Sequence, residues 1–181
     1  MLQKFCYFVI FKVFGWRMIG APPKDKKYLF VALPHTSNWD FIIGWMVSQA
    51  LGLNLKILVK DVFFFWPANH VCAWIGVLPV NRRESTNFTE AMAKRFDEED
   101  ELHALITPEG TRSFQPNLKS GYYHLAKKAG IKIVVAGPHF GNKTFTLSES
   151  RYPLDTFEED AEQVIAFCKT QQGYRPDLTY R

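Results

Sequence analysis

Cysteine is scarce in this chain. The three present, Cys6, Cys72 and Cys168, are odd in number and stand at no metal-ligand spacing. That argues against a disulfide framework and against a zinc-type site, and reads instead as reduced, mostly buried thiols. No apolar run reaches the roughly 20 residues that a membrane-spanning helix needs. The run that opens at Phe5 is interrupted by Lys12 and again by Arg17, and a cation at that depth is costly in lipid. No small-residue cleavage pattern follows it, so a secretory leader is not expected. Internal repeats and low-complexity tracts are also missing, which removes the solenoid and linker classes.

What is present is the composition of a folded protein. The 181 residues are 47% hydrophobic and 22% charged, enough for one domain with a real core. Aromatics are plentiful at 15%, with sixteen Phe, which suits a core or a lipid interface. The charge is unevenly placed. Lys4, Lys12, Arg17, Lys24, Lys26 and Lys27 face the single acid Asp25, a surplus of five where the whole chain carries +4. A basic end on a near-neutral body predicts attraction to an anionic membrane surface. Nucleic acid is not expected as a partner, because the cations are interleaved with apolar residues and no nucleic-acid motif accompanies them. Residues 1–21 are read as an apolar, basic helix lying in the membrane interface with its Lys and Arg stems reaching water. The alternative is a helix packed on the protein's own core. The expected location is the cytoplasmic face of a membrane, peripheral or monotopic.

Pro22 and Pro23 end that helix, and residues 22–181 form the second unit. There, short β-type runs alternate with helical stretches. Strands are predicted at 28–33, 55–59, 77–80, 102–107 and 131–136, with a final edge strand over 140–148. Helices are predicted at 39–51, 85–98, 119–129 and 155–169. Residues 61–75 are ambiguous, because Pro67 breaks any helix there and Phe63–Trp66 suits lipid or core alike. The alternation predicts an α/β fold, a single domain with a largely parallel sheet flanked by helices.

Three polar segments fall directly after predicted strands: H-T-S-N-W-D at 35–40, N-R-R at 81–83 and P-E-G-T-R-S at 108–113. Loops beyond the carboxyl ends of strands are where open α/β sheets bind ligands. On one continuous helix, His35 and Asp40 would lie roughly 140° apart and could not meet. If His35 instead sits on the turn before a helix capped by Ser37 or Asn38, the chain can fold back and bring them together. A carboxylate bonded to one imidazole nitrogen raises the basicity of the other, making a base for a hydroxyl. Neither Thr36 nor Ser37 has the context of a catalytic nucleophile, which favours direct attack by an acceptor. In the second loop Gly110 allows positive φ, Thr111 offers a small hydroxyl, Arg112 a planar fork for phosphate, and Glu109 a carboxylate to orient Arg112 or the acceptor. Arg82 and Arg83 could add phosphate contacts or be solvated surface residues.

Taken in order, these segments resemble the glycerolipid acyltransferase family, which contains the 1-acyl-glycerol-3-phosphate acyltransferases. A His, four residues, then Asp is matched by His35 to Asp40. A Gly-containing strand ending in Arg is matched by Gly76 to Arg82, and F-P-E-G-T-R-S by Pro108 to Ser113, with Thr107 in place of the Phe. A following K-x-G-x-x-x-L-A run is matched by Lys119, Gly121, Leu125 and Ala126. The resemblance implies acyl transfer from an acyl thioester, on coenzyme A or acyl carrier protein, to a hydroxyl of a lysophospholipid or glycerol-phosphate-type acceptor. It implies His35 as base, Asp40 as its partner, and Arg82 with Glu109, Gly110, Thr111 and Arg112 as the acceptor-phosphate site. No metal and no cofactor beyond the acyl donor is implied. Two rival readings are a thioester hydrolase that uses the same pair on water, and an inactive membrane-binding module.

Overall fold

The computed structural model describes residues 1–53, 55–60, 77–80 and 85–180. Its centre is a seven-stranded sheet in the order β1-β7-β6-β2-β5-β3-β4. The strands are β1 (Arg17–Ile19), β2 (Lys27–Ala32), β3 (Leu55–Lys60), β4 (Val77–Val80), β5 (Leu102–Ile106), β6 (Lys132–His139) and β7 (Thr144–Leu147). The five from β6 to β4 run parallel, and β7 lies antiparallel to β6. Among the described residues the α-helices are α1 (Leu2–Tyr7), α2 (Asn38–Ala50), α3 (Ser85–Glu98), α4 (Gly121–Ala129) and α5 (Phe157–Lys169). The expected α/β fold, a largely parallel sheet flanked by helices, is what the chain forms. Residues 61–75, including Phe63–Trp66, and Cys72 lie outside the described residues.

A parallel strand buried on both faces is apolar throughout rather than alternating, and β2 has that character. Tyr28 and Phe30 enter one core with Ile43 and Val47 of α2 and with Cys6 and Ile10 of the N-terminal segment. Leu29 and Val31 enter the other with Phe96 of α3, Leu125 of α4 and Val164 of α5. One sheet thus separates two cores, each sealed by its own helices.

That arrangement also locates a crevice. The chain leaves β2 through α2, which packs on one face and leads to β3. It leaves the adjacent strand β5 through α4, which packs on the opposite face and leads to β6. Neighbouring strands whose connections depart to opposite faces leave a gap at their carboxyl ends. The loops that fill this gap begin at Leu33 and Thr107.

Two elements differ from the sequence expectation. The N-terminal helix does not continue to the Pro pair. Beyond α1 it widens into a π-helix over Phe8–Val13, with Phe14 N donating to Val9 O at 2.9 Å, and stops where Gly15 takes φ +70°. Arg17–Ile19 then joins the sheet parallel to β7. As a result β7 is not an edge strand: β1 covers it, and the first half of residues 140–148 forms the turn out of β6.

Candidate active site

His35 stands on the turn between β2 and α2, one residue after Pro34. Ser37 is the N-cap of α2, extended at φ −156°, and its Oγ accepts from Trp39 N at 2.9 Å. Asp40, three residues on, reaches back to the cap and closes a capping box. Its Oδ2 accepts from Ser37 N at 2.6 Å, Thr36 N at 2.5 Å and Thr36 Oγ1 at 2.9 Å. Its Oδ1 accepts from Tyr174 N at 2.8 Å. The Asp40 carboxylate is therefore held mainly by backbone amides rather than by a bond to the imidazole, on which it acts through charge. The spacing of a serine and a carboxylate three apart signals this capping role, which spacing arguments about His35 alone overlook. His35 and Asp40 do share one pocket, as the turn geometry requires.

The second loop is tied directly to the first. Glu109 is 4% exposed, and its Oε2 accepts from His35 N at 2.8 Å. Glu109 thus orients the backbone of the His35 turn rather than Arg112. Burial pushes its carboxyl up to about 7; the Asp40 charge adds to the rise and the His35 amide opposes it. Gly110, at φ +67°, lets the chain reverse, with its N–H on Thr107 O at 3.2 Å. The reversal brings Thr111 and Arg112 out to solvent at the mouth of the cavity. Arg82, expected to join them, lies outside the described residues.

The cavity has a volume near 710 Å³ and runs from these polar groups into the core between the sheet and α2. His35, Asp40, Thr111 and Arg112 line it at one end, while Phe30, Trp45, Leu51, Leu55 and Phe145 line its apolar body. Burial holds the His35 imidazole below its usual pKa; the Asp40 carboxylate pulls it up and the Arg112 guanidinium pushes it further down. A ring so placed is neutral at neutral pH and able to take a proton. Among the described residues, no group of three or more His, Cys, Asp or Glu side chains is placed to hold a metal ion.

The segment after α5 escaped the sequence reading. Gly173 to Arg175 lies against the His35 turn through Tyr174 N and through Arg175 N, which donates to Thr36 Oγ1 at 3.0 Å. Contacts made across more than 130 residues leave no local pattern to read.

With this geometry in hand, three comparisons bear on the chain. A family model described as acyltransferase matches residues 20–137, a span that takes in His35, Asp40 and the Glu109 loop. No protein of curated function matches the sequence. Among solved structures, the fold is similar to the crystal structure of the 1-acyl-sn-glycerophosphate (LPA) acyltransferase, PlsC, from Thermotoga maritima. The TM-score is 0.62 at 15% identity, covering 93% of this chain and 76% of that one.

Proposed function

This chain belongs to the acyltransferase family, and on that premise we propose that it moves an acyl chain from an acyl thioester to the hydroxyl of a lysophospholipid or glycerol-phosphate-type acceptor. The thioester carrier is coenzyme A or acyl carrier protein. The observation that carries the reading is the union of a half-buried imidazole and a solvent-exposed guanidinium at the polar end of one apolar cavity. An acyl chain needs the apolar body, an alcohol needs the base, and a phosphate needs the cation.

In the reaction, His35 takes the acceptor's hydroxyl proton as the oxygen attacks the thioester carbonyl. The new C–O bond forms, the C–S bond breaks, and the proton on His35 passes to the departing thiolate. The Asp40 charge favours the transient imidazolium. Direct attack is supported over an acyl-enzyme because the two hydroxyls next to His35 in the chain are engaged: Ser37 Oγ in the helix cap and Thr36 Oγ1 on Asp40. Cys6 and Cys168 are buried.

The test is purified protein given an acyl thioester with and without lysophosphatidic acid. Acyl transfer to the lysolipid is the expected product. Free fatty acid at the same rate in both arms would replace this reading with hydrolysis, and an untouched thioester would replace it with a binding module.

Arg112 fits the acceptor phosphate, since its fork is solvent-facing beside His35 and an arginine holds phosphate through paired N–H bonds. Arg112→Ala is expected to raise the acceptor KM about tenfold, the weight of roughly one charge-assisted contact, with the donor KM unchanged. An unchanged acceptor KM would remove Arg112 from the phosphate site.

The N-terminal segment supports a membrane-surface location. Cys6 and Ile10 pack inward, while Phe5, Phe8, Val13 and Phe14 are exposed, as are Lys4 and Lys12 beside them in the chain. A surface mixing large apolar side chains with cations fits the interface of an anionic, cytoplasmic-facing leaflet. Among the described residues no helix is long and apolar enough to cross a membrane. The protein is expected to co-sediment with vesicles containing anionic phospholipid, and a Phe5→Asp, Phe8→Asp double variant to lose most of that binding. Equal sedimentation of the two proteins would move the contact elsewhere.

A further inference from the structure

We propose that Thr36 and the Gly173–Arg175 segment are positioning elements for the acyl-transfer site, together fixing the Asp40 carboxylate beside His35. The inference rests on the reading of His35 as the base.

Thr36 is 3% exposed and sits between two chain segments. Its hydroxyl donates to Asp40 Oδ2 at 2.9 Å while accepting from Arg175 N at 3.0 Å. Both capacities of one hydroxyl are thus spent joining the carboxylate to the far end of the chain. Tyr174 N reaches the carboxylate's other oxygen at 2.8 Å. Each oxygen of Asp40 is therefore tied, directly or through Thr36, to residues 174 and 175.

The far segment is itself anchored. Gln172 N donates to Pro138 O at 3.2 Å, Phe140 N donates to Gln172 O at 2.9 Å, and Gly173 N donates to Thr179 Oγ1 at 3.2 Å. The Tyr174 ring packs near Trp39 of α2 and edge-on to Phe140. What presses on the His35 turn is consequently a segment bridged to the end of β6, not a loose tail.

Gly173 shows how close the approach is. A Cβ there would stand 2.5 Å from Thr36 Oγ1 and 2.7 Å from Thr36 Cγ2. Any larger residue must push Thr36 away, and with it the hydroxyl on Asp40. A displacement of this kind moves the carboxylate relative to the imidazole without touching either substrate. Its cost belongs in turnover and not in binding, and misplacement near 1 Å can cost about 10²-fold.

The experiment compares Thr36→Val, Thr36→Ser and a Gly173→Ala, Thr36→Ala cycle in the full chain, with kcat and both KM values measured. Thr36→Val keeps the shape and removes the hydroxyl; kcat is expected to fall about ten- to a hundredfold with both KM values within about twofold. Thr36→Ser restores the hydroxyl and is expected to recover kcat to within about threefold. Gly173→Ala is expected to lower kcat at least about tenfold alone, but under about twofold in the Thr36→Ala background, where the clashing atoms are gone; coupled sites are non-additive in this way. Full kcat in Thr36→Val, loss confined to KM, or a Gly173→Ala effect that multiplies undiminished on Thr36→Ala would overturn the proposal. If Gly173→Ala does not fold, the valine and serine pair decides alone. His35→Ala in the same assay separates the two readings: an active His35→Ala sinks the base assignment, while an inactive one beside a normal Thr36→Val sinks only this inference.

Discussion

His35→Ala is expected to lower kcat by about 10²- to 10⁴-fold, the share that a positioned general base supplies, while the protein still folds. The fold should survive because the contact that ties this turn to the second loop is made by the His35 backbone. Its N–H donates to Glu109 Oε2 at 2.8 Å, and alanine keeps that donor. The ring contributes something else, a neutral nitrogen at the mouth of the cavity. Burial is the main cause of its lowered pKa, and Arg112 adds to it. The acid limb of the kcat/KM profile is therefore expected below the ordinary histidine value of about 6.5. Arg112→Ala removes one of the lowering influences, so the limb should move to higher pH in that variant. Near-normal turnover by His35→Ala would end the base assignment, and a limb that stays fixed in Arg112→Ala would separate the guanidinium from the ring.

The elements easiest to read in the sequence were those whose character is set locally. Val77–Val80 and Ser85–Glu98 occupy the residues expected of them, and the apolar run before His35 became the central strand because every residue from Tyr28 to Val31 could be buried on one face or the other. The N-terminal segment was harder. Its apolar residues continue past Val13, but Gly15 reverses the chain and sheet pairing with β7 claims Arg17–Ile19. Helix and strand compete for such residues, and the tertiary partner decides.

The site divides in the same manner. Both loops were visible as polar segments following strands, and their convergence follows from helices leaving β2 and β5 on opposite faces. The roles of the two carboxylates were less visible. Asp40 lies three residues after a helix-capping serine, so the cap's amides claim the carboxylate whose charge also acts on the His35 imidazole. Glu109 was expected to face Arg112 or the acceptor. It turned inward instead, because the half-buried His35 amide takes it as an acceptor, and the strand preceding Pro108 delivers the side chain to it.

That inward turn has a measurable consequence in pH. An unfolded chain leaves the Glu109 carboxyl near 4.5, whereas the folded one raises it to about 7. The folded state therefore holds a proton that the unfolded state releases between those values, and the Glu109 contribution to stability falls as pH rises through that window. Carrying the charge above pH 7 costs the fold about 3 kcal/mol. Among the described residues, the titratable groups acting on Glu109 are Asp40, Cys168 and Tyr180, besides the His35 amide. Burial pushes the Cys168 thiol up and the Tyr180 phenol up to about 12, so neither gains charge in the window. His35 titrates nearby but is present in every protein compared. Glu109→Gln keeps an oxygen for the His35 amide and cannot ionise. Urea unfolding at intervals from pH 5 to 8 is expected to show the variant gaining on the parent as pH rises, by up to about 3 kcal/mol at the upper end. Parallel curves for the two proteins would mean that Glu109 is already ionised in the folded state at low pH, and that burial does not govern its proton.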